Sequence, residues 1–402
     1  MKILQINKYF YHKGGSESVF FNTIDLLKEH GHEVHCLAIK NPKNLLSDDS
    51  SYFIDYPEMS ETGFVGKLKN SLAFFYNREA KKKIEQLIRN QQPDVAHIHL
   101  LFNGLSVSIL PVLKKYNIPV VMTVHDYRLL CPAYLFLDGS GTICEKCRDG
   151  HYGHCIQKKC SRRGHIIDTM LCLDMYFRNL CFPIHKYVDK FIFISNFTFD
   201  KHADYNPIYK EKGVRLYNFV KPVEINSTNA QASPEKYYLY YGRLSREKGL
   251  LTLVDAVKNM NIKLKIAGIG NALDYILDLP QNIEILGFKT GVELQDLIRN
   301  AYFVIVPSEW YETFGLTVVE PQVLGVPVIG ARIGAIPELI KENENGFLFE
   351  VGNAVALRQA IEKAEKCSAK QYEQMSLNAR TASVQFSDSE SAYNQLITIY
   401  HL

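Results

Sequence analysis

Residues 303–320 read FVIVPSEWYETFGLTVVE, an apolar run followed by a polar loop and a helical pattern. The run Phe303–Pro307 predicts a buried strand of a parallel sheet, and the residues from Gly315 onward predict the start of a helix. Glu312 and Glu320 are eight residues apart, a little over two helical turns. Both carboxylates can therefore lie on one side of this element.

The start of this predicted helix is also suited to an anion, because its first backbone N–H groups have no helical partners. The segment could hold sugar hydroxyl groups on one carboxylate, ribose hydroxyl groups on the other and phosphate between them. The alternative is that Glu312 caps the helix and Glu320 is a solvated helix residue, since acidic residues are favoured in first turns.

A second strand–loop–helix segment, residues 240–249, reads YYGRLSREKG and lies about seventy residues upstream. It follows the apolar run Tyr237–Tyr241 and opens a helix predicted over Leu250–Asn259. Arg243 and Lys248 lie in its glycine-bounded loop. Because Arg binds two oxygens at once and Lys adds a point charge, this pair suits a diphosphate.

Taken together, Gly242-Arg-Leu-x-x-Glu-Lys-Gly249 and Glu312-x7-Glu320 resemble the retaining nucleotide-sugar enzymes of glycosyltransferase family 4. The resemblance covers nearly the whole chain in the family's order. It implies the GT-B fold, in which two doubly wound α/β, Rossmann-like domains face each other across a cleft. It also implies transfer of a sugar from a UDP- or GDP-linked donor to a glycan or lipid-linked acceptor, in cell-surface polysaccharide assembly.

The same resemblance assigns roles to individual residues. Arg243 and Lys248 are expected to stabilise the leaving diphosphate, so that no catalytic divalent cation is needed. Glu312 holds the sugar hydroxyl groups, and His125 lies beside the transferred sugar. Asp126, on the acceptor side, orients the acceptor hydroxyl group or His125. The donor-binding residues that the resemblance implies are Gly14, Gly15, Gly268, Gly270, Gly287, Phe288, Phe314, Gly315, Leu316, Thr317 and Glu320.

Three of these features also have simpler interpretations. Gly14-Gly15, between a strand and a helix, could be a plain tight turn that Ser16 caps. A lone strand-end histidine such as His125 is more often a structural residue. Gly268-Ile-Gly270 is not a dinucleotide fingerprint, because Leu273 replaces the third glycine and no acidic residue occupies a clear ribose position.

Apolar runs alternate with helical patterns along the chain, which predicts parallel sheets covered by helices. Two such series predict an N-terminal acceptor-side domain over 1–220 and a C-terminal donor domain over 235–386. The break falls in the polar, turn-rich stretch 221–234. The tail 387–402 is predicted helical, and the resemblance implies that it packs back on the first domain.

Five of the nine cysteines fall within thirty residues, in an insertion over about 131–160. Cys144-x2-Cys147 has the spacing of a metal-binding knuckle. A structural zinc site from Cys144, Cys147, Cys155 and Cys160 fits these spacings, with His151 or His154 as substitutes and Cys131 as a spare thiol. Free thiols, disulfides and an iron–sulfur centre stay open as alternatives.

Composition narrows the class of protein. The 402 residues suffice for two domains, and 47% apolar with 22% charged residues is typical of a globular protein. A net charge of +3 is too small to indicate a nucleic-acid partner. No signal peptide or membrane span is evident, so we expect a cytoplasmic protein. The amphipathic stretches 66–83 and 166–188 leave peripheral contact with a membrane open.

Other functions remain as alternatives. A GT-B epimerase needs its own acid and base, and a phosphorylase of this fold needs a cofactor-bearing lysine and a much longer chain. A non-catalytic GT-B partner subunit would lack Arg243, Lys248 or the two glutamates, and all four are present. A zinc-dependent nucleic-acid binder would leave these motifs unexplained.

Overall fold

The continuous apolar runs form the strands of two parallel sheets in a computed structural model that describes residues 1–56, 71–221, 236–276 and 278–401. The chain divides into two compact units, Met1–Phe219 with Ser389–Leu402, and Val220–Asp388. Below they are called unit 1 and unit 2. Most of the predicted linker and the segment 66–70 of the first amphipathic stretch lie outside the described residues.

The sheet of unit 1 has six strands in the order β2-β1-β3-β4-β5-β6, all of them parallel. These strands are β1 Lys2–Ile6, β2 Glu33–Leu37, β3 Val95–Ile98, β4 Val120–Val124, β5 Lys190–Phe193 and β6 Gly213–Arg215. The order reverses between β1 and β3, which makes this pair the switch point of the sheet.

The sheet of unit 2 has six parallel strands in the order β12-β11-β10-β7-β8-β9. These strands are β7 Tyr238–Tyr241, β8 Leu264–Ala267, β9 Ile283–Gly287, β10 Phe303–Val306, β11 Val328–Ala331 and β12 Gly346–Phe349. Here the switch point lies between β7 and β10. The prediction of two doubly wound α/β series is confirmed.

Helices connect the strands in both units. In unit 1 they are α1 Gly15–Glu29, α2 Arg78–Gln91, α3 Leu110–Lys115, α4 His154–Gln157, α5 His165–Cys181, α6 Asn196–Tyr205, α7 Ile208–Lys212 and, at the C-terminal end, α14 Ser389–Tyr400. In unit 2 they are α8 Leu250–Val257, α9 Gly291–Arg299, α10 Leu316–Val323, α11 Ile336–Leu339, α12 Ala354–Glu365 and α13 Ala369–Ser387. None of the described helices is both long and apolar enough to cross a membrane.

The C-terminal helix α14 belongs to the core of unit 1. Its Leu396 and Tyr400 are buried in one cluster with Ile3, Val95 and Val121 from three neighbouring strands. Burial of such side chains stabilises the fold by about 1.5–3 kcal/mol each. The last turn of the chain therefore lies directly against the sheet, close to the polar residues of β1 and β3.

Two strands lack an apolar run long enough to predict them from the sequence. The edge strand β6 has only three residues and is partly exposed, so it lacks a continuous apolar run. The strand β12 reads GFLF and is fully buried, but its apolar run is only three residues long. Both pair with a strand that the sequence did predict, and the sheet supplies the ordering that local sequence lacks.

Candidate active site

The two predicted donor-binding loops of unit 2 meet at the switch point of its sheet. The loop with Arg243 and Lys248 follows β7, and the loop with Glu312 follows β10, the neighbouring strand. In open parallel sheets, ligands bind at the carboxyl ends of the strands at such a point. The fold thus brings together two motifs that are about seventy residues apart in sequence.

A buried ion pair joins these loops. Lys248 Nζ lies 2.5 Å from Glu312 Oε1, and Ser308 Oγ donates to the same oxygen at 2.6 Å. Burial alone would raise the pKa of Glu312, which is only 5% exposed, but the Lys248 ammonium and the two hydrogen bonds lower the pKa below its usual value. Glu312 is therefore a carboxylate at neutral pH. Each of the two loops thus contributes one charged group to the pair, Lys248 from the first and Glu312 from the second.

Arg243 occupies a different position from Lys248. Its guanidinium Nη2 lies 3.2 Å from Glu247 Oε1, and its side chain is 55% exposed. Ser245 Oγ also donates to that oxygen of Glu247 at 2.7 Å. The structure therefore pairs Lys248 with Glu312 and leaves the Arg243 side chain largely open to solvent.

Glu320 lies within α10 and faces the end of β7. Tyr241, the last residue of β7, donates its phenol to Glu320 Oε2 at 2.8 Å. Burial raises the pKa of Glu320 to about 6, although the bond from Tyr241 opposes the rise. The carboxylate is not a solvated helix residue, which removes that alternative for Glu320.

The start of α10 is formed by the other predicted residues of this loop. Gly315 is the N-cap, with a φ of 107° that favours glycine, and no side chain caps the helix among the described residues. Leu316 and Thr317 form its first turn. Phe314 is 2% exposed, and its ring packs against Phe386, 5.6 Å away. Its side chain is thus part of the core of unit 2.

The glycines of the Gly268-Ile-Gly270 loop are explained by packing. A Cβ at Gly268 would lie 1.9 Å from Gly242 O, and one at Gly270 would lie 2.1 Å from Leu244 O. Backbone hydrogen bonds also join the two loops, from Leu244 N–H to Ile269 O and from Ala272 N–H to Leu244 O, both 2.9 Å. Glycine here lets the loop press against the one that carries Arg243.

The next loop is more open. A Cβ at Gly287 would meet no atom within 4 Å, although its φ of 71° favours glycine. The Phe288 side chain beside it is 65% exposed. Nothing within unit 2 covers this ring, in the part of the chain that the structure describes.

In unit 1, His125 follows β4 and is held by a second histidine. His99 Nδ1 lies 2.9 Å from His125 Nε2, and His99 Nε2 lies 3.0 Å from Gln5 Oε1. Because a carbonyl oxygen only accepts, His99 Nε2 carries a proton, and a neutral His99 accepts at Nδ1. His125 then donates from Nε2 and keeps a lone pair on Nδ1.

The chain of hydrogen bonds continues to the C-terminal helix. Gln5 Nε2 donates to Tyr400 Oη at 3.1 Å, and Tyr400 Oη lies 2.7 Å from His97 Nδ1. The other nitrogen of His97 lies 2.7 Å from Thr123 Oγ1. Tyr400 is therefore joined through Gln5 and His99 to His125, in addition to its apolar packing.

Burial keeps these imidazoles neutral. It lowers the pKa of His125 to about 4 and that of His97 to about 3, and it lowers the pKa of His99 well below its usual value. At pH 7 His125 is therefore a neutral hydrogen-bond acceptor in one tautomer. His99, Gln5 and Tyr400 were not predicted from the sequence, although the alternation in His97-Ile-His99 places both histidines on one face of β3 and its continuation.

Asp126 does not orient His125 in this structure. Its carboxylate pairs with Arg128 Nε at 3.0 Å and also accepts the Arg128 backbone N–H at 2.9 Å. The orienting partner of His125 is His99. Both His125 and Asp126 line a cavity at the carboxyl edge of the sheet, together with Lys8 and Arg128.

The glycine loop after β1 differs from its counterparts in unit 2. The helix α1 begins at Gly15, and Gly14 is its N-cap in an extended conformation with φ −172°. Ser16 lies inside the first turn, and no side chain caps the helix, so the predicted Ser16 cap is wrong. A Cβ at Gly14 would meet only Glu17 Oε2, at 3.6 Å, so internal packing does not require this glycine.

The clustered cysteines line one small cavity in unit 1. All nine cysteines are free, and the Cys155 thiol donates to Asp168 Oδ1 at 3.9 Å. Within the described ranges, no group of three or more His, Cys, Asp or Glu side chains could hold a metal ion. The zinc site predicted from Cys144, Cys147, Cys155 and Cys160 is therefore not supported.

The thiols lie among apolar residues. Pro132, Phe136 and Leu137 form the apolar part of the cavity wall. Burial raises the pKa of Cys147 to about 12, whereas the interaction with Cys155 lowers the pKa of Cys160. The cysteine-rich insertion is a packed cluster of thiols in this structure.

Two family models together match most of the chain. The model described as Glycosyltransferase Family 4 matches residues 13–224, and the one described as Glycosyl transferases group 1 matches residues 224–382. An uncharacterized 42.6 kDa protein in the cps region of Klebsiella pneumoniae is 26% identical over 87% of this chain and 90% of its own. An uncharacterized glycosyltransferase of Methanocaldococcus jannaschii is 24% identical over 81% and 82%.

Solved structures give the same fold. The Anabaena protein HepE in complex with UDP superimposes with a TM-score of 0.67 at 18% identity, over the full length of both chains. The arrangement of two parallel sheets is the GT-B fold that the resemblance implied. The chain therefore belongs to glycosyltransferase family 4, and it is a glycosyltransferase with the GT-B fold.

Proposed function

We propose that this glycosyltransferase moves a sugar, with retention of configuration, from a UDP- or GDP-linked donor to a hydroxyl group of a glycan or lipid-linked acceptor. The Lys248–Glu312 pair at the switch point of unit 2 carries this proposal. HepE, a protein of the same fold, is described in complex with UDP and with UDP-glucose. The Klebsiella relative in the cps region supports a role in polysaccharide assembly.

The charges of unit 2 suit a diphosphate leaving group. Lys248 exchanges part of its contact with Glu312 for a phosphate oxygen, and the exposed Arg243 closes on the same group. Glu312 is then free to accept hydrogen bonds from the sugar. Two cations at this point supply the charge that a divalent ion would otherwise bring, so we propose catalysis without a metal.

The remaining residues bind the donor and position the acceptor. Glu320 accepts hydrogen bonds from the ribose hydroxyl groups. The backbone at Gly287, Leu316 and Thr317 contacts the nucleotide and the phosphates. His125, with its Nδ1 lone pair, receives a hydrogen bond from the incoming acceptor. The acceptor oxygen then attacks the anomeric carbon on the face that the diphosphate leaves. The carbon–oxygen bond between the sugar and the diphosphate breaks in the same step. The proton of the acceptor hydroxyl group passes to an oxygen of the departing phosphate.

Donor binding tests this function directly. We would measure the thermal unfolding of the full chain with UDP-glucose, UDP-galactose, UDP-N-acetylglucosamine, GDP-mannose and ADP-glucose. We expect one donor to raise the unfolding temperature by several degrees, because a ligand at 100 times its Kd adds about 2.7 kcal/mol. Lys248→Met should lose this protection. Lys258→Met, which removes an exposed lysine paired with Asp255, should retain it.

Transfer with that donor completes the test. NMR of the product should give the same anomeric configuration as the donor, and activity should survive EDTA. A chain that no donor stabilises, and for which Lys248→Met behaves as the wild type, would instead be a non-catalytic partner subunit.

A lipid-linked acceptor is supported by one face of α5. Ile166, Leu173 and Leu180 recur every seven residues and are 78%, 52% and 78% exposed. An exposed apolar stripe of this kind suits the surface of a bilayer. Flotation with phosphatidylglycerol vesicles should recover the wild type, and Leu173→Glu should reduce this recovery; equal recovery of both would remove the proposal.

A further inference from the structure

The cavity beside His125 has a charge that the proposed transfer reaction leaves unexplained. This cavity opens at the carboxyl edge of the unit 1 sheet, around the switch point between β1 and β3. Its polar lining consists of Lys8, Tyr9, His99, Thr123, His125, Asp126 and Arg128. The mechanism above uses only His125 and, through it, His99.

Lys8 is the unusual member of this lining. It follows β1, is only partly exposed, and forms no ion pair with a carboxylate in the part of the chain that the structure describes. Its Nζ lies 5.0 Å from the centre of the Tyr9 ring. Burial lowers the pKa of Lys8, the hydrogen-bonded Tyr9 phenol opposes this shift, and the nearby charges of Arg128 and Lys13 lower the pKa further. A half-buried ammonium group without a counter-charge is costly, because neither water nor a partner fully compensates it.

The other charged groups do not balance Lys8. The Asp126 carboxylate is already paired with Arg128, whose guanidinium also lies 4.3 Å from the centre of the Tyr134 ring. The two histidines are neutral, and Lys13 adds a second positive charge, with its Nζ 3.7 Å from the centre of the Tyr9 ring. The wall of the cavity therefore has one more positive than negative charge, before Lys13 is included.

We propose that this cavity is an anion subsite, in which Lys8 binds a carboxylate or phosphate group that the acceptor carries close to its reacting hydroxyl. The inference rests on the proposed function, since it places the acceptor beside His125. An anionic acceptor supplies the counter-charge that Lys8 lacks, whereas a neutral sugar of the same shape leaves the ammonium group uncompensated. Selectivity for acidic acceptors then has two sources. One is the attraction between Lys8 and the anion, and the other is the free-energy cost of leaving Lys8 uncompensated beside a neutral sugar.

Calorimetric titration of the full chain, in chloride buffer at constant ionic strength, tests the subsite. The probes are inorganic phosphate, glucuronate and, as the neutral reference, glucose. We expect phosphate or glucuronate to bind at least about tenfold more tightly than glucose, which is the effect of one charge-assisted hydrogen bond. Stronger binding of phosphate indicates a lipid-linked sugar phosphate as the source of the anion, and stronger binding of glucuronate indicates a uronic acid.

Variants at Lys8 then separate charge from structure. Lys8→Met should remove the preference for anions and raise the thermal unfolding temperature, because the uncompensated charge is gone. Lys8→Arg should retain the preference. The control Lys2→Met, at the opposite end of β1, removes a lysine paired with Glu33 and should bind anions as the wild type does.

Two results would overturn the inference: a wild type that binds neither anion more tightly than glucose, or a Lys8→Met variant that keeps the preference. Donor protection of unit 2 is measured in the same samples. If a nucleotide sugar stabilises both the wild type and Lys8→Met while no anion preference is found, the subsite fails and the proposed transferase stands. If no donor stabilises the wild type, the proposed transferase function is wrong, whatever the anion titrations show.

Discussion

The candidate residues of unit 2 are charged and paired, whereas those around His125 in unit 1 are mostly neutral and joined by hydrogen bonds. Lys248 pairs with Glu312 and Arg243 with Glu247, while His99 holds His125 through uncharged nitrogens. An ion pair can exchange one partner for a charged ligand at little cost. A neutral network keeps one tautomer and one orientation whether or not a ligand is bound. We infer that unit 2 is built to exchange charge with a donor, and unit 1 to hold one acceptor geometry.

The charged half of this comparison predicts the largest effect. Lys248→Met and Glu312→Gln should each lower kcat/KM for transfer by about 100-fold, because each removes a group that we propose contacts the donor diphosphate or the sugar. Each should also lower the free energy of unfolding by about 2–3 kcal/mol, since the remaining buried charge has lost its partner. The double variant should lose less stability than the sum of the two.

Urea unfolding of the four proteins measures this coupling. The matched control is the exposed pair of Lys289 and Glu293 on α9 and its preceding loop, where Glu293→Gln should cost less than about 0.5 kcal/mol. Strict additivity at Lys248 and Glu312 would mean that the two charges do not depend on each other, and the contrast between the units would lose its basis.

The neutral hydrogen-bond network of unit 1 predicts a smaller effect, which changes the tautomer of His125 as well as stability and rate. His99→Leu leaves His125 Nε2 and Gln5 Oε1 without partners, so we expect a loss of about 1–3 kcal/mol in stability and about tenfold in kcat. Tyr400→Phe acts two bonds further away and should cost about 1 kcal/mol, with a smaller change in kcat. His99→Gln, which can still accept and donate, should recover part of the rate.

Nitrogen-15 NMR of His125 distinguishes positioning from simple destabilisation. In the wild type we expect one neutral tautomer with the proton on Nε2, and in His99→Leu a mixture of both. A variant that loses stability but keeps the single tautomer would contradict the role of His99 in orienting His125.

The sequence predicted the charged half better than the neutral half, for a physical reason. Arg243, Lys248, Glu312 and Glu320 lie in two short segments whose strand, turn and helix patterns can be recognised locally. Gln5, His99 and Tyr400 come from three distant parts of the chain, and only the packed sheet and α14 bring them together. No local pattern marks a glutamine inside an apolar strand as the partner of a tyrosine 395 residues away.

The glycines illustrate a related limit. Gly14 and Gly268 look alike in the sequence, because each has a second glycine close by. Gly15 directly follows Gly14, and Gly270 follows Gly268 after one residue. In the structure, a side chain at Gly268 would collide with Gly242 O, whereas one at Gly14 would fit. Whether a glycine serves packing or leaves room for a ligand depends on which loop lies opposite, and that is set by strand order. The cysteine cluster failed as a zinc prediction for the same kind of reason, because spacing does not determine how thiols converge.

The smallest predicted effect is a pH dependence confined to unit 2. Because burial raises the pKa of Glu320 to about 6, the folded chain holds a proton between pH 4.5 and 6 that the unfolded chain releases. This group therefore makes the free energy of unfolding fall as pH rises through that window, and contributes no further change above it.

Ribose hydroxyl groups bind better to the ionised form, so donor affinity should rise about fourfold between pH 5.5 and 7. Glu320→Gln should remove this slope, whereas Glu284→Gln, at an exposed carboxylate paired with Lys263, should keep it. His97, His99 and His125 are neutral between pH 5.5 and 7, so a slope that survives in Glu320→Gln would have to come from another group. It would also show that titration near the active site is not limited to the charged half of the molecule.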